Sequence, residues 1–353
     1  MSKIGLIDAD LMWGEHANGR RYGKKKSDIF PNLATMKISA WHKANDDDVE
    51  WYNSMDGDYD KIYISKVFSS TPMNREIFRA KEVIFGGSGW YINLVDGKEV
   101  WQRPTYLDKK VQIDSIQKEP WESEWKFQNV LPYDVEHIMP DYSLYPTFND
   151  TAMGFLSRGC PRGCGPCHVA AKEGRHAYKV ANLSEWWNGQ KNIVLCDPNI
   201  LACKNWKDLL GQLADSGAKV DINQGLDARL MTKGKAMALD KIKLSTLHFA
   251  WDRYEDKDRV LKGLQLFKEY YSKKLDKSHA AQVFVLTNYD TTEKQDLERI
   301  YTLRDMGFEP YVMVYNKQNA APFYKSLQRW VNMRAIFHKI DRFEDYNSKL
   351  AKE

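Results

Sequence analysis

Five cysteines occur in 353 residues, and three of them share one turn-rich stretch: Ser157-Arg158-Gly159-Cys160-Pro161-Arg162-Gly163-Cys164-Gly165-Pro166-Cys167-His168. Thiolates are soft ligands, and three spaced C-x-x-x-C-x-x-C on one bent loop can converge on a metal centre from one side. Held that way they can occupy three irons of a cubane and leave the fourth open to an exogenous ligand. An iron–sulfur cluster with a free site is therefore the direct chemical reading. Other chemistries compete for the same residues. Zinc could take the three cysteines plus His168, although structural zinc sites usually pair two separated knuckles. Cys164 to His168 also spells C-x-x-C-H, the string of covalent haem attachment. That reading leaves Cys160 unused, as does a redox disulfide between Cys164 and Cys167. Three unliganded thiols are the bland alternative, against the tendency of cysteine to be buried rather than clustered on a polar turn. Cys196 and Cys203 lie in apolar contexts, where packing is expected.

The rest of the composition narrows the setting. Hydrophobic residues make up 43% and charged residues 28%, the balance of a globular protein rather than a disordered one. No apolar stretch is long enough for a membrane span, and Asp8 and Asp10 interrupt the first apolar run, so no signal peptide is expected. A cytoplasmic, reducing setting follows as the expectation, in which thiols serve metals or catalysis more often than disulfides. Lys and Arg number 52 against 48 Asp and Glu, a surplus too small for a dedicated nucleic-acid binder. The local basic run Arg20-Arg21-Tyr22-Gly23-Lys24-Lys25-Lys26 reads as a solvated loop that could touch phosphates.

Two sets of elements must position the cysteines. Near the N-terminus, strand patterns at Ile4–Asp8, Val49–Tyr52, Lys61–Ser65 and Glu82–Phe85 surround a helical pattern at Ala34–Trp41, which is preceded by Pro31. This alternation predicts a small doubly wound α/β domain of Rossmann type over residues 1–95. Residues 96–150 read as an insertion and linker. From 151 to 320 the alternation is more regular. Strands are expected at Met153–Leu156, Asn192–Leu195, Lys219–Asn223, Ser245–Ala250, Gln282–Thr287 and Tyr311–Tyr315, with helices such as Trp206–Ala214, Gly234–Ile242, Asp258–Tyr271 and Asp296–Met306 between them. Six βα units predict a parallel, partial (β/α)6 TIM-like barrel, whose chemistry sits at the C-terminal strand ends. Residues 321–353 read as a helical extension.

The cysteine loop directly after the first of six such strands resembles the radical S-adenosylmethionine superfamily. The resemblance implies that Cys160, Cys164 and Cys167 hold a [4Fe-4S] cluster whose open iron binds S-adenosylmethionine. It also implies reductive cleavage to a 5′-deoxyadenosyl radical, which takes hydrogen from an undetermined substrate, small molecule or nucleotide/RNA, with an electron from a reductant such as flavodoxin or ferredoxin. Pro166 departs from the aromatic residue that relatives commonly carry before the last cysteine. By position at the strand ends, the resemblance assigns cofactor contacts to Asp197, Asn199, Gln224, Asp227, Arg229, Asp252 and Asn288. Arg229 would face a carboxylate, because its fork can bind two oxygens at once, and Asp252 the ribose hydroxyls. The first domain resembles the cobalamin-binding-like domain that precedes many such barrels, although a D-x-H-x-x-G loop is absent; a remnant that docks substrate or a partner is the first expectation for it, with cobalamin as a candidate second cofactor. Residues 1–159 contain no cysteine, which argues against the methylthiotransferase subclass. A second expectation, from a different class, is a non-catalytic iron–sulfur or zinc protein that docks nucleic acid through the basic loop and a C-terminal helix near Gln328–Arg334.

Overall fold

The computed structural model describes residues 1–13, 30–72, 78–95, 98–101, 124–128, 130–273 and 281–346. The basic run at residues 20–26, together with Gly14 and Gly19, lies outside them. The chain divides into two compact units. One comprises Met1–Ala152, Cys164–Lys172 and Ser184–Asn188; the other comprises Met153–Gly163, Glu173–Leu183 and Gly189–Glu353.

In the first unit, β1 (Lys3–Asp8) leads into the short helix α1 (Ala9–Trp13), followed by α2 (Leu33–Ala44), β2 (Asp48–Trp51), β3 (Tyr59–Ser65) and β4 (Ala80–Gly86). A hairpin of β5 (Ile92–Val95) and β6 (Lys98–Trp101) comes next, then β7 (Glu124–Phe127) and α3 (Tyr133–Glu136). The sheet order is β2-β1-β3-β4-β7, with every pairing parallel. By chain rank this is 2-1-3-4-5, the doubly wound order found in flavodoxin-like folds. Alternation along β1 decides which side chains face which layer. Ile4 and Leu6 pack with Ile38 of α2 and Val135 of α3, whereas Ile7 packs with Tyr59, Ile62 and Ile64. Among the described residues, aromatic side chains pack on the second face, Trp90, Tyr91 and Trp101 among them. Asn32 starts α2 by accepting the Thr35 N–H at 3.2 Å, which satisfies a donor that the helix leaves open.

The fifth strand of this sheet, β7, comes from the stretch read as insertion and linker. It is short and lies at the sheet edge, and Lys126 projects from it to meet Glu82 at 2.7 Å. Outward charge is how edge strands avoid further pairing, and here it also masks the strand pattern.

The second unit begins at β8 (Thr151–Gly154). Then follow β9 (Ser157–Arg158), α4 (Val169–Glu173), β10 (Tyr178–Lys179), β11 (Asn192–Leu195), α5 (Trp206–Asp215), β12 (Lys219–Ile222), α6 (Lys233–Lys241) and β13 (Leu244–Thr246). The series continues with β14 (His248–Ala250), α7 (Lys257–Tyr270), β15 (Gln282–Thr287), α8 (Glu293–Asp305), β16 (Glu309–Val314), α9 (Pro322–Asn332) and α10 (Arg334–Phe337). The strands line up in chain order as two sheets, β8-β11-β12-β13 and β14-β15-β16. The pairs β11–β12, β12–β13, β14–β15 and β15–β16 are parallel.

Two strand expectations are corrected. The segment Ser245–Ala250 is two strands: β13 pairs with β12 through a register shift at Val220/Asp221, and β14 pairs with β15. The single bridge Leu226↔Phe249 lies where they part. The first strand stops at Gly154, because the N–H groups of Leu156 and Ser157 donate to a side chain instead of a ladder. In the C-terminal extension, Tyr324, Leu327, Trp330 and Val331 are buried at helical spacing on α9. Trp330 is 0% exposed and donates its indole N–H to the Ile340 carbonyl, so it packs rather than offering a ring to a base. Among the described residues, no helix is long and apolar enough to cross a membrane.

Candidate functional site

The segment from Leu156 to Arg162 is fixed by carboxylates. Asp197, just beyond β11, is buried and accepts three hydrogen bonds: from the N–H of Leu156 and of Ser157, each at 2.7 Å, and from Ser157 Oγ at 2.6 Å. Burial pushes its carboxyl up to about 7 against the pull of those donors. Further along, Glu173 receives Arg158 Nη1 and the Gly159 N–H, both at 3.0 Å, while the Arg158 guanidinium lies 3.9 Å from the Phe155 ring centre. Gly159 has φ +79°, and a Cβ there would stand 2.0 Å from the His176 carbonyl oxygen, so the turn before Cys160 accepts only glycine. The Cys160 N–H donates to the Gly174 carbonyl at 3.2 Å. Its Sγ receives the Nδ2 of Asn199 at 3.4 Å. Asn199 is buried, and its Oδ1 has no partner, a burden of about 1–3 kcal/mol for an amide at such a place.

Arg162 ties the same segment to the end of β12. Its Nε meets Asp227 Oδ2 at 2.9 Å, and Asp227 also receives Arg229 Nε at 2.7 Å and Nη2 at 3.1 Å. Arg229 Nη1 then reaches Asp256. Burial alone would raise the Asp227 carboxyl, but the two guanidiniums outweigh it and hold the group below the ordinary carboxylate range. Asp227 also accepts the Arg229 N–H at the head of the turn Ala228–Leu230. Helix α7 passes very close to this turn: a Cβ on Gly263 would lie 1.8 Å from the Ala228 carbonyl oxygen.

Cys164 to Lys172 belongs to the first unit and is held differently. The Cys167 N–H closes a turn on the Cys164 carbonyl at 3.0 Å. His168 stacks on Trp101, with centroids 6.0 Å apart and planes at 17°, and Trp101 stacks on Tyr91 at 5.2 Å and 13°. Lys172 donates to Ser88 Oγ at 3.1 Å. None of the five cysteines forms a disulfide. Cys160 and Cys164 are half-buried and Cys167 is exposed. Among the described residues, no group of three or more His, Cys, Asp or Glu side chains is gathered as a single-ion site. Thiol sulfur is the donor that an iron–sulfur cluster takes, and Cys160 Sγ already receives an N–H.

The remaining expected residues separate into occupied and open groups. Asp197, Asp227 and Arg229 are engaged as described, so they position the loop and its neighbours. Asn288, at φ +60°, spends its side-chain N–H on the Tyr315 carbonyl at 2.8 Å and joins the ends of β15 and β16. Gln224 is exposed. Asp252, past the end of β14, makes no side-chain hydrogen bond or ion pair among the described residues. Burial raises its carboxyl. Sequence reasoning missed Arg162, Asp256 and the fully buried Arg299–Asp296 pair. Arg299 donates to the carbonyls of Trp251 at 2.6 Å and Leu286 at 2.7 Å, so it joins the ends of β14 and β15. Burial pushes the Cys196 thiol up to about 12 and also raises Cys203, as suits packing rather than ligation. Half-exposed Asp221, His248 and Phe284 alternate with the buried residues of β12, β14 and β15. His248 stacks on Phe284 with centroids 4.8 Å apart, and burial lowers its pKa.

In the first unit, the carboxyl end of the sheet is internally bonded. Tyr145 donates to Asp8 at 2.6 Å, and burial pushes the Asp8 carboxyl up to about 6. Asp10 accepts the Val67 N–H at 2.6 Å and the Thr71 hydroxyl at 2.5 Å. Asn32 pairs with Ser65, and Lys66 with the Thr71 carbonyl. These described residues are committed to one another.

No protein-family model matches the chain, and no curated protein matches it in sequence. Among solved structures it is similar in fold to the radical S-adenosylmethionine methyltransferase TsrM from Kitasatospora setae, solved with cobalamin and a [4Fe-4S] cluster bound. The likeness has a TM-score of 0.55 at 10% identity and covers 89% of this chain and 75% of that one. At that identity the likeness is one of fold.

Proposed function

We propose that this chain is a radical S-adenosylmethionine enzyme in which Cys160, Cys164 and Cys167 hold a [4Fe-4S] cluster. The observation that carries the reading is the cysteine loop itself, which follows the first of a run of strands in chain order. It gains support from the fold shared with a radical S-adenosylmethionine methyltransferase. Residues 151–320 are read as the partial barrel. A [4Fe-4S] cluster held by the three cysteines would supply the electron for reductive cleavage of S-adenosylmethionine, giving a radical that would take hydrogen from substrate.

The chain's own residues bind and orient. Asp197 and Glu173 fix the path of the loop up to Cys160. Arg162 and Arg229 share Asp227, which ties the Leu156–Arg162 segment to the end of β12. The Asp252 carboxylate is the open acceptor for hydroxyl groups such as those of a ribose. Arg229 already serves two carboxylates, Asp227 and Asp256, and we assign it to positioning rather than to a ligand carboxylate. The half-exposed row Asp221, His248 and Phe284 is the surface offered to substrate, whether a small molecule or a nucleotide. A flavodoxin- or ferredoxin-type reductant in the cytoplasm is the matching electron source.

Anaerobic reconstitution tests the reading. Expected are about four irons per chain, a reduced-cluster EPR signal, and 5′-deoxyadenosine on addition of S-adenosylmethionine and dithionite. Alanine at any of the three cysteines removes both signal and product. Stoichiometric zinc without cleavage overturns the proposal. Hydroxocobalamin co-eluting with the chain would add that cofactor independently.

A further inference from the structure

We infer that Asn199 is a positioning residue for the cysteine centre, donating its side-chain N–H to Cys160 Sγ and so setting the reduction potential of the cluster. The inference rests on the reading proposed above and adds a residue that acts through a ligand. The segment just beyond β11 holds the loop at two points. Asp197 fixes the backbone of Leu156 and Ser157, and two residues later Asn199 reaches the sulfur of Cys160 at 3.4 Å. The backbone of Asn199 is set on both sides. The Cys196 N–H joins the Gly154 carbonyl at 2.9 Å, and the Ala202 N–H closes on the Asn199 carbonyl at 3.1 Å. Ile200 and Leu201, which follow, are each 1% exposed and anchor the turn.

The side chain is 4% exposed, and its Oδ1 is buried without a partner. An apolar residue of similar size would carry no such unsatisfied acceptor, so the amide is explained by its donor, and that donor points at sulfur. Hydrogen bonds to cluster sulfurs favour the more electron-rich state, because they place positive charge density where the added electron is shared. Reduction here is a one-electron addition with no proton transferred to the protein. Asn199 therefore shifts the potential upward and makes the cluster easier to reduce.

The test is a potentiometric EPR titration of the reconstituted full-length chain, with dithionite as electron source, for wild type, N199L and N199D. Leucine keeps the bulk and removes the donor; aspartate keeps the shape and replaces the donor with an acceptor. Expected are unchanged far-UV circular dichroism, unchanged iron content, and a midpoint moved negative in N199L and further in N199D. If N199L fails to fold, N199D decides. Loaded variants with the wild-type midpoint overturn the inference while leaving the proposed function standing. So does a loss of loading with the remaining clusters at the wild-type midpoint, since that is a purely structural role. A wild-type chain that takes up no [4Fe-4S] cluster overturns both.

Discussion

From Leu156 to Arg162 the cysteine loop is tied by buried or half-buried carboxylates: Asp197 on two backbone N–H groups and a hydroxyl, Glu173 on Arg158 and Gly159, and Asp227 on Arg162. From Cys164 to Lys172 it is tied by the flat stack of His168 on Trp101 and by the hydrogen bond from Lys172 to Ser88. Hydrogen bonds to charged groups contribute about 1.5–3 kcal/mol each. An aromatic pair adds about 0.5–1.5 kcal/mol beyond the area it buries. The two segments therefore differ in tolerance. The Cys160 segment is set before any ligand arrives, whereas the Cys164–Cys167 segment can adjust its ring stacking at small cost. Such a loop fixes the place of Cys160 more firmly than those of Cys164 and Cys167.

The largest effect that tests this contrast is expected at Asp197. The substitution D197A removes an acceptor from three donors in a buried site, and a loss of about 3–5 kcal/mol is expected in urea unfolding. If it costs no more than the Trp101 substitution below, the contrast collapses. A smaller effect appears as pH dependence. The Asp197 carboxyl is raised to about 7, above its unfolded value near 4, so the folded chain binds more protons between those limits. Stability from this group is fully present below about pH 4 and is lost as pH rises toward 7. Asp227 is shifted the other way, so its contribution is present above about pH 4 and is lost as pH falls through its lowered value. D197N should flatten the stability profile between pH 4 and 7, and D227N should flatten it only on the acid side. Identical profiles for the two variants would sink the assignment. The smallest effect is W101A, expected to cost about 1–2 kcal/mol and to leave the Cys160 segment unchanged, read as wild-type amide protection at Leu156 and Ser157 in hydrogen exchange.

Much of the scaffold was legible because branched and aromatic runs mark strands, whether burial is nearly continuous, as in β1, or alternating, as in β11 and β15. Lys3–Asp8, Asn192–Leu195 and Gln282–Thr287 follow their patterns closely. Edge strand β7 was hidden by its alternating charges. The break between Thr246 and His248 was hidden for another reason: a change of strand partner leaves the apolar run intact. At the proposed site, Cys160, Cys164 and Cys167 are marked by residue type and spacing, since residues close in the chain carry their own signature. The bonds that hold them do not. Asp197 meets Leu156 and Ser157, and Asp227 meets Arg162, across long stretches of chain with no regular spacing to betray them. Arg229 shows the same limit: an arginine at a strand end suits a ligand carboxylate, but Asp227 and Asp256 reach it first.

Gly263 carries no functional group, yet it acts as a gauge for the site. The missing side chain lets α7 rest on the Ala228 carbonyl, and Ala228 lies between Asp227 and Arg229. A single added methyl would lift that turn away from the helix and drag the Arg162 anchor with it. In a saturation library scored for cluster loading, position 263 should therefore read as intolerant as a ligand, although it lies mid-helix and touches no sulfur.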